Sequence, residues 1–299
     1  MSLLNDRSQS EIRRNLEKRI ITLNDGTIIP ALGQGTWGMG ENHRSKEDEV
    51  KALQLGVQLG MSLIDTAEMY GNGGAERIVG EAIKDCRNEV FLVSKVYPHN
   101  AGLEKIFTAC DNSLRRLGTD YLDLYLLHWR GSVPLSETIE GMEKLKREGK
   151  ILRWGVSNFD TDDMEELWHT PNGNQCVTNQ VMYHLGSRGI EYDLLPWQRE
   201  HHVPLMAYSP IAQGGTLRNR LLTDPTIATI AKKYGVNPLQ LILAWCIRSN
   251  DLVAIPKATK IEHVIENAAT AAIYFDKEDL EKLDEIFPKP DRKVSLDMI

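Results

Sequence analysis

Eight short strand-like runs, most of them apolar, alternate with stretches of helical spacing, and this alternation fixes the fold class. In order they cover 31–36, 63–64, 90–93, 122–127, 151–156, 177–180, 204–207 and 252–255. Most are continuously apolar rather than alternating, the pattern of strands buried on both faces of a parallel sheet. Between them the spacing predicts helices. Ser45 caps an acidic first turn that leads to Val50, Leu53, Val57 and Leu59. Residues 75–82 follow; 103–117 stop at Gly118, and 139–147 stop at Gly149. Asp224-Pro225 and Asn237-Pro238 each set an N-cap before a proline at the first helical position. Two further helices, 262–271 and 277–287, end the chain. Eight strand–helix units close as a (β/α)8 TIM barrel of the α/β class; an open doubly wound sheet is the alternative.

No linker divides the 299 residues, so 19–299 reads as a single (β/α)8 barrel domain. Residues 1–18 read as a flexible or short helical extension, with Ile12 and Leu16 supplying its apolar spacing. Residues 20–23 and 27–30 flank Asn24-Asp25-Gly26, a hairpin signal, because both central turn positions favour positive φ. An N-terminal β-hairpin there is placed to plug the barrel bottom.

Charge and composition narrow the partners. A net charge of -7 gives no general attraction to nucleic acid or to an anionic membrane. The chain has no apolar run of the length a membrane span needs. Asp6, Arg7 and Glu11 stand where an export signal would need an apolar core. Cys86, Cys110, Cys176 and Cys246 form no C-x-x-C pair and read as small hydrophobes in a reducing compartment. A cytoplasmic, monomeric protein acting on a small molecule is expected.

Gly33-Gln34-Gly35-Thr36-Trp37-Gly38 matches G-x-G-x-x-G literally. That fingerprint needs a helix opening at its third glycine. Here Met39-Gly40-Glu41-Asn42 follows, and the first helical signal is Ser45. The glycines are read as close packing of a strand and its loop.

The strand ends are Trp37, Asp65, Lys95, His128, Ser157-Asn158, Gln180, Tyr208-Ser209 and Lys257, with Tyr70 one turn beyond Asp65. Asp65 alone is equally a turn cap and Tyr70 equally packing. Eight ionisable, amide or aromatic strand ends in succession point instead to one cleft at the C-terminal barrel face. A phenol is a poor acid near neutrality. An ammonium from Lys95 favours its phenolate, and Asp65 can hold Lys95. His128 can donate a hydrogen bond to the same substrate oxygen. Such a set delivers a proton to a carbonyl oxygen. No side chain donates hydride, so a nicotinamide is implied. Ser157, Asn158 and Gln180 can bond its carboxamide, and Tyr208 can stack on its ring.

These residues sit in segments that resemble the aldo-keto reductase family from about Arg19 onward. Asp65-Thr66-Ala67-Glu68-Met69-Tyr70-Gly71 is similar to one family signature. Met142-Glu143-Lys144-Leu145 through Gly155-Val156-Ser157-Asn158-Phe159 is similar to a second, and Ile255-Pro256-Lys257 through Glu266-Asn267 to a third. The resemblance implies a catalytic tetrad of Asp65, Tyr70, Lys95 and His128, with Tyr70 as general acid. It implies NADPH as cofactor. The contacts it assigns are Gly35, Thr36, Trp37, Ser157, Asn158 and Gln180, then Tyr208, Ser209, Pro210, Ile211 and Gln213. A third group is Ile255, Pro256, Lys257, Ala258, Thr259, His263, Glu266 and Asn267, with Lys257 near the 2′-phosphate. Ala258 and His263 depart from the family's usual Ser or Thr and Arg, and a neutral His is a weaker phosphate partner than Arg.

Trp37, His128 and Trp129 are expected to line the substrate pocket, with Met39 and His99 as further candidates and Arg130 as a cation near its mouth. The short charged tail after Phe287 argues against a deep apolar pocket. Small aldehydes, α-dicarbonyls or sugar-derived carbonyls are the substrates expected. A metal-dependent hydrolase on the same barrel is disfavoured, since strand ends Trp37 and Lys95 supply no ligands; no metal is expected. A cofactor-binding redox sensor with slow turnover is the alternative function.

Overall fold

The computed structural model describes residues 5–41 and 45–298. It opens with helix α1 (Asp6–Leu16), then strands β1 (Ile20–Thr22), β2 (Ile28–Pro30) and β3 (Gln34–Gly35). Strand–helix units follow: α2 (Lys46–Leu59), β4 (Leu63–Asp65), α3 (Gly74–Ile83), β5 (Phe91–Val96) and α4 (Ile106–Leu117). Then come β6 (Leu124–Leu127), α5 (Leu135–Arg147), β7 (Trp154–Ser157), α6 (Thr161–His169), β8 (Asn179–Met182) and α7 (Leu194–Glu200). Strand β9 (Leu205–Tyr208) is followed by α8 (Gly215–Thr223), α9 (Pro225–Lys233) and α10 (Pro238–Cys246). Strand β10 (Leu252–Ala254), α11 (Ile261–Ala269) and α12 (Lys277–Ile286) complete the chain.

Strands β3 to β10 form one eight-stranded parallel sheet in sequence order. The ring closes where Leu32 bridges Ala254: the Gly33 amide donates to the Ala254 carbonyl at 2.8 Å and the Gly35 amide to Pro256 at 3.0 Å. A Cβ at Gly35 would stand 2.6 Å from the Ile255 carbonyl oxygen, so this seam needs a glycine. The fold is the (β/α)8 barrel expected from the apolar runs.

The hairpin forms as expected, Ile21 opposite Ile29 with both side chains buried. Asn24 donates to the Cys176 carbonyl at 2.8 Å and Arg153 to Asp25 at 2.7 Å. Cys176 and Arg153 precede β8 and β7, so the hairpin covers the N-terminal end of the barrel. Leu16 of α1 is buried in the same core.

Local signals explain most helices. Ser45 caps α2, which ends at Gly60 with φ 106°. Asp224 caps α9, and Asn237 forms a reciprocal box with Gln240 at α10. Gly38 and Gly40 adopt positive φ in a loop, and no helix opens at the third glycine of the G-x-G-x-x-G match.

Several boundaries differ from expectation. Residues 103–105 precede α4 rather than join it, and α11 stops at Ala269 before a short 3-10 turn. Strands β6, β7 and β8 start two or three residues late, with Leu122 and Ile151 meeting only as an isolated bridge. Helices α6, α7 and α8 were not anticipated. Helix α7 is seven residues with an internal proline, and α8 buries only Leu221, so neither presents a clear apolar stripe.

Candidate active site

Strand register brings the site together. Asp65 ends β4 opposite Gly35 of β3 and Val93 of β5, Lys95 lies two residues further along β5, and His128 follows β6 directly. Ser157 of β7 is opposite Gln180 of β8. Tyr70 follows in the loop beyond β4, where its amide donates to the Ala67 carbonyl at 3.1 Å, and it opens a tight turn in which Gly71 has φ 57° and Asn72 φ 51°.

The four tetrad residues are buried in one cluster. Lys95 Nζ donates to Asp65 Oδ2 at 2.7 Å, to the Thr66 carbonyl at 2.9 Å and to Tyr70 Oη at 2.9 Å. All three ammonium hydrogens are thereby placed. Gln180 Nε2 donates to the other Asp65 oxygen at 2.8 Å. Burial pushes the Asp65 carboxyl up, opposed by Lys95 and Gln180, and pushes the Lys95 amine down, opposed chiefly by Asp65. Each charge of the pair is tolerated because the other is 2.7 Å away.

Tyr70 differs from expectation. An ammonium beside the phenol was expected to favour its phenolate. Burial instead holds the phenol well above its ordinary range, and Asp65 and Tyr208 add to the rise. The group therefore carries its proton near neutrality, as a donor must. His128 is a neutral imidazole, lowered to about 2 by burial and then by Lys95. Its Nδ1 is buried without a hydrogen-bond partner, so the ring meets a ligand only through Nε2.

A cavity of about 330 Å³ opens above the cluster. Asp65, Tyr70 and His128 line it, as do the anticipated residues at 35–37, 157–158, 180, 208–211, 213 and 255–257. Ala258, Thr259, His263, Glu266 and Asn267 lie outside its wall, leading into α11 or on it, with His263 exposed. Tyr208 Oη donates to Asn158 Oδ1 at 2.9 Å, and Asn158 Nδ2 donates to the His128 carbonyl at 3.1 Å. Asn158 holds φ 57° to do so.

Trp37 packs edge-on against Tyr70 with centroids 4.9 Å apart, and Trp129 lies 4.9 Å from His128, so both line the cavity as expected. Met39 does not; it is fully buried in the core. His99 stacks on Tyr97 at 4.8 Å, outside the cavity wall. Arg130 is not a cation at the mouth: Glu166 takes its guanidinium at 2.9 Å, and the carbonyls of Gly131 and Val133 hold it too. Met69, Ala212 and Arg218 line the cavity without having been anticipated. Met69 stood inside the first signature; Arg218 had no signal beyond following Gly214-Gly215. Among the described residues, no group of three or more His, Cys, Asp or Glu side chains is disposed to hold a metal ion. Nor is any helix among them long and apolar enough to cross a membrane.

This barrel, with a phenol, an ammonium and a carboxylate chained beneath an amide-lined cavity, is a reductase scaffold. Residues 31–287 match the model of the Aldo/keto reductase family, and the chain belongs to that family. It is similar to methylglyoxal reductase YeaE of Escherichia coli (strain K12), 54% identical over 284 residues, 95% of this chain and 100% of that protein. It is similar also to glyoxal reductase of Bacillus subtilis (strain 168), 36% identical over 92% of this chain and 97% of that protein. Among solved structures, an aldo/keto reductase from Klebsiella pneumoniae in complex with NADP and acetate superposes with a TM-score of 0.92. It shares 54% identity and covers 94% of this chain and 99% of its own.

Proposed function

We propose that this oxidoreductase uses NADPH to reduce small aldehydes and α-dicarbonyls, with Tyr70 delivering the proton. The Asp65–Lys95–Tyr70 hydrogen-bond chain at the floor of the cavity carries the reading. The relatives that act on methylglyoxal and glyoxal, and the neighbour crystallised with NADP, support it.

The cavity suits the cofactor. Ser157, Asn158 and Gln180 gather hydroxyl and amide groups on one wall, Tyr208 supplies an aromatic face, and Lys257 and Arg218 are cations suited to phosphate. When bound, the nicotinamide supplies the hydride that no side chain can. Tyr70 gives its proton to the carbonyl oxygen, and the Lys95 ammonium, already within hydrogen-bond distance, stabilises the phenolate left behind. Asp65 and the Thr66 carbonyl keep that ammonium aimed. His128 donates from Nε2 to the same oxygen and fixes its direction. Trp37 and Trp129 bound a site shaped for a small molecule.

Loss of NADPH absorbance over a panel of methylglyoxal, glyoxal, simple aldehydes and aldoses tests the reading, with NADH run beside it. Fast turnover of a dicarbonyl with NADPH is expected. Tight NADPH binding without turnover of any of them would contradict it and favour a redox sensor.

A further inference from the structure

We propose that Gln180 is a positioning residue that couples the carboxamide-binding wall to the proton donor; the cofactor half of this rests on the reductase reading above. Gln180 lies on β8, 1% exposed, and faces the cavity. Its Nε2 is 2.8 Å from Asp65 Oδ1 and 2.9 Å from Met206 Sδ. An ionised carboxylate only accepts, so the amide must turn its NH₂ toward Asp65. Both amide hydrogens are then spent inside the wall. What remains for a ligand is Oε1, an acceptor matched to the NH₂ of a carboxamide.

Asp65 is shared in the same way. Oδ2 takes the Lys95 ammonium and Oδ1 takes the Gln180 amide. Three hydrogen bonds therefore run in series from Gln180 through Asp65 and Lys95 to Tyr70 Oη. Removing the amide strips one oxygen of a buried carboxylate of its donor, and such a group takes up a proton more readily. Lys95 then loses the charge that holds it, and Tyr70 the cation that receives its negative charge. The other titratable groups that bear on the chain are Glu76 on α3, Tyr208 on β9 and His128 after β6.

Gln180→Met, of similar length without a donor, and Gln180→Glu test this in the full chain. In the cofactor-free protein, the carbon-13 carboxyl resonance of Asp65 should titrate at higher pH in Gln180→Met than in wild type. An unchanged titration would overturn the coupling, whether or not the protein is a reductase. With NADPH saturating and methylglyoxal as substrate, Gln180→Met should lower kcat about tenfold or more, the scale of one hydrogen bond to a charged group. Gln180→Glu should recover kcat toward acid pH, where the new carboxyl keeps a proton to donate to Asp65, and lose it as pH rises. A kcat–pH profile in Gln180→Glu parallel to that of Gln180→Met, or a weaker NADPH Kd with unchanged kcat in Gln180→Met, would contradict the proposal. Wild-type turnover of the dicarbonyl tests the reductase reading separately. If Gln180→Met fails to fold, the Gln180→Glu profile decides.

Discussion

The Lys95 ammonium stands 2.9 Å from the Tyr70 hydroxyl while both are buried, and that distance organises the site. In the proposed reaction the neutral phenol keeps its proton until a substrate oxygen takes it, and the cation needed afterwards is already in place. Preorganisation of this kind costs no rearrangement at the moment of reaction. It does cost a buried ion pair, which Asp65 completes.

Removing Lys95 should therefore damage both chemistry and stability. Lys95→Met leaves Asp65 buried with the Gln180 amide as its remaining donor. Breaking one side of a buried pair costs about 3–5 kcal/mol. The sign with pH follows from the carboxyl, whose folded pKa rises further once the cation is gone. Folding then favours the protonated form, so the variant's deficit is small below the unfolded carboxyl value of about 3.9 and grows as pH rises through the raised folded value. Urea unfolding of both proteins across pH 4 to 8 checks this; a deficit that shrinks with rising pH would refute it.

His128 predicts the opposite slope. Its folded pKa of about 2 lies far below the ordinary imidazole value of 6.5. The stability it contributes is complete above 6.5 and is lost as pH falls toward the folded value, at about 1.4 kcal/mol per pH unit for one proton. His184, lowered to about 4, adds to the same trend, so the comparison must be between wild type and variant. His128→Gln should flatten the loss of urea stability between pH 6 and 4 by about one proton. Parallel curves would show that His128 is not buried neutral.

Much of the site was legible because barrel strands are largely apolar, so the polar residues that end each run mark the active end. Asp65, His128, Ser157 and Gln180 were found that way. The Tyr70 protonation state was not, since spacing places an ammonium nearby but says nothing of how completely water is excluded. Arg130 misled for a related reason: the Glu166 that captures it lies 36 residues away on α6, a helix without a recognised signal. Arg218 escaped because α8 buries one side chain and so leaves no periodic pattern.

Arg218 also gives a prediction. It donates to the carbonyl of Ala212 at 2.7 Å and of Ile211 at 3.3 Å. The loop it grips holds Ser209 at φ 50° and Ala212 at φ 56°, conformations that cost roughly 1–3 kcal/mol each and persist only when surroundings enforce them. Arg218→Ala should weaken NADPH binding about three- to tenfold, the scale of one or two hydrogen bonds. It should also speed amide exchange over 209–213, with kcat at saturating NADPH within about twofold of wild type. Fluorescence titration and hydrogen exchange read both effects; unchanged exchange would mean the loop is held by other contacts.

In the proposed reaction Tyr70 donates the proton and does not hold the cofactor. The most direct measurement is Tyr70→Phe compared with wild type at saturating NADPH, following methylglyoxal reduction alongside NADPH Kd by fluorescence. The variant's kcat should be lower by about 10²–10⁴, the usual worth of a general acid, with Kd within about twofold. A variant that keeps turning over methylglyoxal, or one that loses NADPH binding in step with activity, would contradict it.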